Sequence, residues 1–102
     1  MQASADIDWV ASHTAGAPPR LRDQVVSHFN AAPAGPLTGR LAQAGDAALR
    51  AATTAGRGRD TALDLLAADA LITLALLATA QRDPAALTET AIALRVHAGV
   101  RA

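Results

Sequence analysis

Three histidines, His13, His28 and His97, are the side chains of this 102-residue chain best suited to bind a metal or carry a proton. Zinc needs three or four ligands converging on one point. No histidine here has a second histidine or a carboxylate three or four residues away, the spacing that builds half a site on one helix. Each falls instead in the last turn of a predicted helix, where imidazole interacts favourably with the free carbonyls and the negative end of the dipole. That plainer role is the expectation, and no metal or other cofactor is expected.

Asp60 and Asp64, with Arg57 and Arg59 beside them, form a charged cluster at the start of the fourth predicted helix. Paired carboxylates perform acid–base chemistry when a cleft drives their pKa values apart. Acidic residues in a first turn also complement the helix dipole, and that explanation suffices here. Asp69 is more unusual, because it lies inside the most apolar helix, flanked on its projected face by Leu65, Thr73 and Leu76. Buried alone it would be very costly, so the expectation is an arginine partner, Arg50 or Arg95, or a place at an interface margin that water still reaches.

Ser4, Ser12 and Ser27 lack a Gly-x-Ser-x-Gly setting. Gly56, Arg57, Gly58 and Arg59 lack the lysine and the spacing of a phosphate-cradling loop and read as a turn with exposed arginines. Cysteine is absent, which excludes a disulfide framework, a thiolate nucleophile and a thiolate zinc site. Nothing in the sequence points to catalysis, and the chain reads as a non-enzyme.

The elements that must carry these residues are helical. Over residues 6–13, Ile7, Val10, Ala11 and Thr14 share one side at helical spacing, with Trp9 and His13 together on another. Gly16, Pro18 and Pro19 interrupt the chain, and Pro19 suits the first turn of a second helix running to about residue 30. There Leu21, Val25 and Phe29 recur every four residues. Residues 31–39, with two prolines and two glycines, read as a surface loop. A third helix over 41–54 carries Leu41, Ala44, Gly45, Ala48, Ala52 and Ala55 in one stripe. Such small residues let another backbone approach closely.

Thr61 and Asp64 have the spacing of a capping box opening a fourth helix over 61–81. Its Leu63, Leu66, Ala67, Ala70, Leu71, Leu74 and Leu77 form one face, and Leu65, Ile72 and Leu76 a second, nearly opposite. A helix apolar on two sides needs cover on both. Asp83 as cap and Pro84 at the first helical position open a fifth helix, with Leu87, Ala91, Leu94 and Ala98 in one stripe, Ile92 and Val96 away from it, and Gly99 placed to end it. Period-two alternation is missing throughout, so no strand is expected.

Composition bounds the rest. Hydrophobic residues make up 51% of the chain, but these are mostly alanine and leucine, with Trp9 and Phe29 the only aromatics. Burial stabilises by roughly 25 cal/mol per Å² of apolar surface, and alanine offers little area, so a domain of this kind tends to complete its burial against a partner. Nine arginines balance eight aspartates and Glu89 to zero net charge. That argues against nucleic acid, whose capture needs a concentrated positive surface. The apolar run over 65–80 is short for a membrane span, which needs about 18 residues or more, and it contains Asp69. The first ten residues hold Asp6 and Asp8 and no basic residue, unlike a secretory signal, so a cytoplasmic location is expected. The lysine-free, alanine-rich usage resembles that of high-GC bacteria.

The sequence therefore predicts a single all-α domain over 1–102, a compact bundle of four to five short helices with helix 61–81 central. Its expected mode of action is association with protein, as a homodimer or as an accessory subunit. The candidate interface residues are Leu65, Asp69, Ile72, Leu76, Ile92, Val96 and Trp9, although a lone tryptophan in a chain with few large side chains is expected more often in its own core. Two further readings are a carrier holding a small apolar ligand between helices and, ranked last, a helix-turn-helix DNA-binding regulator around Gly56 and Gly58.

Overall fold

The computed structural model describes residues 2–54 and 58–100, with side chains described for residues 5–54 and 58–96. Five helices follow one another: α1 (Gln2–His13), α2 (Pro19–Ala31), α3 (Leu37–Thr54), α4 (Arg59–Arg82) and, after a 3-10 turn at Pro84–Ala86, α5 (Leu87–Val100). No strand occurs among the described residues, so the all-α expectation holds. The radius of gyration is 13.1 Å, matching the ~13 Å of a compact chain of this length. As predicted, the fourth helix is central: α4 touches α2, α3, α5 and the 3-10 turn, while α1 makes its main contact with α2.

The seam between α3 and α4 is the most extensive in the molecule. The stripe of Leu41, Ala44, Gly45, Ala48 and Ala52 is buried as its spacing predicts, while Ala55 lies outside the described residues. The close approach is literal at Gly45, where an added Cβ would sit 3.0 Å from Ile72 Cγ1 and 3.5 Å from the Ile72 backbone nitrogen. Here α4 answers with small residues of its own, Ala67, Ala68, Ala75 and Ala78, around Leu71 and Leu74. Phe29 and Val25 of α2, Leu37 of α3 and Val10 of α1 complete the cluster.

Several boundaries and faces differ from the sequence reading. The third helix starts at Leu37 rather than 41, because Leu37 is fully buried and Gly39 is carried inside the helix. On α1 the buried side is Asp6, Val10 and Thr14, while Ile7 and Ala11 face outward. Turning the helix this way brings the indole of Trp9 against the core, and an indole offers more apolar area than Ile7 does. The Thr61 and Asp64 capping box does not form: α4 begins two residues earlier, with Gly58 at the N-cap (φ 144°) and no side-chain cap. Asp83 likewise caps only through its backbone, its carbonyl accepting from Ala86 N at 3.0 Å. The last helix continues through Gly99 to Val100.

The buried arc of α4 is also rotated from the expected one. It runs through Asp64, Ala67, Ala68, Leu71, Leu74, Ala75, Ala78 and Thr79, leaving Leu66 at 54% and Leu77 at 36% exposure. Ile72 and Leu76, expected on a second face, are half-buried. Gly45 explains Ile72, because α3 comes close enough to cover it. With 24 residues and a mean hydropathy of 1.9 over its most apolar stretch, α4 is long and apolar enough to cross a membrane by length and composition alone. The length objection drawn from residues 65–80 therefore fails. In the fold α4 packs against α2, α3 and α5, with 39% of that apolar stretch buried.

Candidate functional site

Two features stand out on this scaffold, one apolar and one polar. The apolar one is the outer side of α4 and α5. Leu65, Leu66 and Leu77 on α4, and Leu87, Ile92 and Val96 on α5, are each exposed by a third to more than half. At 100° per residue, Ile92 and Val96 project almost opposite Thr90 and Leu94, which are half-buried. Among the described α5 side chains, Leu94 is the one packed against the core cluster. The last helix is thus held along one edge, with β-branched side chains in water on the other.

Of the seven candidate interface residues, Leu65, Ile92 and Val96 are exposed, Ile72 and Leu76 are half-buried, and Asp69 is exposed. Asp69 forms no ion pair among the described residues. The expected partner Arg50 instead bonds Asp46 one turn away, Nη2 to Oδ2 at 2.9 Å, and Arg95 is solvent-exposed. Because Asp69 sits on the uncovered side of α4, water solvates it and no partner is required. It lines a surface groove of about 330 Å³ with His13, Thr14 and Thr73. Trp9 is half-buried against the core and stacks on His13, ring centroids 4.1 Å apart. His13 Nδ1 donates to the Trp9 carbonyl at 2.8 Å, the C-terminal role expected of it. The side chains of His97 and Ser4 lie outside those described, as does most of the turn proposed for DNA binding.

The polar feature is centred on Asp64. Expected to be a first-turn surface acid, it is instead buried, at 7% exposure. Its Oδ1 accepts from Gln24 Nε2 at 2.6 Å and from His28 Nε2 at 2.9 Å. Gln24 and His28 lie one turn apart on α2, so the three residues tie α2 to α4. The hydrogen bond from His28 holds the Asp64 carboxyl below its usual value of 3.8, outweighing desolvation, with Gln24 assisting. An ionised carboxylate only accepts, so His28 Nε2 carries the proton and Nδ1 is left with its lone pair in the neutral ring. His28 therefore does more than complement a helix end. The pairing spans 36 residues, and no local spacing could announce it.

Arg40, which sequence reasoning passed over, closes the other end of the core. Its guanidinium lies 4.1 Å above the Phe29 ring, and Nη2 donates to the Phe29 carbonyl at 3.0 Å, covering the C-terminal end of α2. The i to i+11 separation crosses the Pro33–Pro36 loop, so helical periodicity gave no sign of it. No group of three or more potential metal ligands occurs among the described residues.

Comparison with protein-family models, with curated proteins and with solved structures finds no match to this chain.

Proposed function

We propose that this protein acts by non-catalytic association with protein, using the outer side of α4 and α5, and that its first partner is a second copy of itself. The observation that carries the reading is the exposure of Leu65, Leu66, Leu77, Leu87, Ile92 and Val96 on two helices that pack on each other. Large apolar side chains scattered singly over a surface need no explanation; a concentration on adjacent elements marks an interaction site. Zero net charge removes long-range repulsion between copies. In this reading α4 is a core helix rather than a span, and the chain works in the cytoplasm.

Sedimentation equilibrium over a wide concentration range tests the proposal, comparing the wild type with the Ile92→Asp, Val96→Asp double variant. A dimer is expected for the wild type and a monomer of unchanged helix content for the variant, because two charges on a closed apolar interface cost several kcal/mol. A wild type that stays monomeric at the highest concentration refutes self-association. The carrier reading is supported only by surface grooves, and the helix-turn-helix reading by nothing beyond the order of α3 and α4.

A further inference from the structure

The exposed side of α5 carries charges as well as apolar residues, and their order along the helix is not symmetric. Thr88, Glu89, Ile92, Arg95 and Val96 are all exposed. At about 100° per residue they share one face centred on Ile92, with Glu89 and Arg95 roughly 60° to either side of it. Glu89 stands three positions before Ile92 and Arg95 three positions after it. Within one helix that separation is too long for a pair, which needs residues three or four apart. Neither charge forms an ion pair among the described residues.

A second α5 laid on this face gives both charges a partner, but in one orientation only. In a parallel two-fold pair each residue stands level with its own copy, so Glu89 meets Glu89 and Arg95 meets Arg95, and both contacts repel. In an antiparallel pair with the axis at Ile92, residues equidistant from Ile92 come level instead. Glu89 of each copy then stands level with the partner's Arg95, and Thr88 with the partner's Val96, while Ile92 meets its own copy. With helix axes about 8–10 Å apart, the long side chains of glutamate and arginine reach across. Shifting the axis by one helical turn in either direction takes the two charges out of level.

We infer that a second copy of this chain docks antiparallel on α5, with the two-fold axis at Ile92 and two Glu89–Arg95 ion pairs between the copies. This arrangement rests on the self-association proposed above and adds orientation and register to it. Isoleucine and valine supply the burial, and the charges select which way the copies meet.

The chain has no cysteine, so single cysteines introduced into the full chain report the arrangement. Ile92→Cys places two thiols at the axis. Glu89→Cys places them at opposite ends of the contact, beyond the roughly 7 Å between Cα atoms that a disulfide can bridge. Mild oxidation at a concentration where the wild type is dimeric should link the Ile92→Cys copies and leave the Glu89→Cys copies largely unlinked. In sedimentation equilibrium at low salt, Glu89→Arg and Arg95→Glu should each weaken the dimer by about tenfold or more, since each change turns two attractive pairs into two repulsive ones. The difference should shrink in about 1 M salt, which screens exposed charges, and the double variant E89R/R95E should regain most of the affinity. A wild type that is monomeric throughout sinks self-association and this arrangement together. With a dimeric wild type, the arrangement alone is overturned if Glu89→Cys links as readily as Ile92→Cys, if Ile92→Cys does not link, or if the charge reversals leave the affinity unchanged.

Discussion

Asp64→Ala removes the acceptor that joins α2 to α4, and its cost can be worked from the geometry. Two donors, Gln24 at 2.6 Å and His28 at 2.9 Å, lose one carboxylate oxygen. Hydrogen bonds to a charged group contribute about 1.5–3 kcal/mol each. Part of that is offset, because the native state bears the desolvation of a carboxylate whose side chain is only 11% exposed. A net loss of about 2–4 kcal/mol is expected. At 4–8 °C per kcal/mol for a chain of this size, the midpoint of thermal unfolding should fall by roughly 10–30 °C.

The pH dependence supplies the sharper check. The folded pKa of Asp64 lies below its ordinary value of 3.8, so this group favours the folded state fully above that value. The contribution is lost as pH falls through the lower folded pKa. Urea unfolding of the wild type and of the near-isosteric Asp64→Asn should therefore show a wide gap at neutral pH that closes on acidification. A double-mutant cycle with Gln24→Ala should return a coupling within the ~0.5–3 kcal/mol typical of residues in one network. A gap that does not change with pH, or a loss for Asp64→Ala below about 0.5 kcal/mol, the ordinary range of surface substitutions, would refute the account.

Gly45→Leu should destabilise by about 1–3 kcal/mol in chemical unfolding, since even the Cβ would sit 3.0 Å from Ile72 Cγ1 and the longer chain must push α3 off α4. Arg40→Met keeps the length of the side chain but loses the cation over Phe29 and the donor to its carbonyl. The expected cost is about 1–2 kcal/mol by thermal unfolding, at the low end because the buried Arg40 Nε, which has no hydrogen-bond partner among the described residues, is removed as well. Leu94→Ala withdraws the α5 side chain that reaches the core cluster. Hydrogen exchange should then show α5 amides unprotected while those of α3 and α4 remain slow; equal loss of protection everywhere would mean that α5 is integral to the cooperative unit.

What the sequence made legible was whatever is periodic. The stripe on α3 was readable because Leu41, Ala44, Gly45, Ala48 and Ala52 fall at helical spacing and because their smallness has one geometric consequence, the close seam that Gly45 and Ile72 form. The order of helices followed from Gly16, Pro18, Pro19, Pro33 and Pro36, which break the chain where the structure breaks it. Orientation was less legible. On α4 the leucines are spread nearly all round, so amphipathicity could not choose the inward arc. Polar residues hid for a related reason: Asp64 beside Asp60 and Arg59 looks like a surface acid in every local window. Its partners Gln24 and His28 lie two helices earlier, a relation that only the packing of α2 on α4 creates.

The rotation of α4 bears directly on what the protein is for. A helix with leucine on all sides should, in a self-sufficient monomer, bury the residues with the most apolar area. Here α4 turns Ala67, Ala68, Ala75 and Ala78 inward and leaves Leu65, Leu66 and Leu77 in water. The α3 seam accounts for the choice. Its stripe of alanine and glycine is too small to fill the space beside leucines, whereas alanine set against alanine brings the backbones together and restores packing density. Turning α4 by about a quarter-turn to hide Leu66 and Leu77 would also pull Asp64 out of reach of Gln24 and His28. Close packing on one side and a buried carboxylate on the same side thus fix the helix in an orientation that sheds its leucines outward. The uncovered apolar side of α4 and α5 follows from the way the core is built, and among the described residues no element remains to cover it.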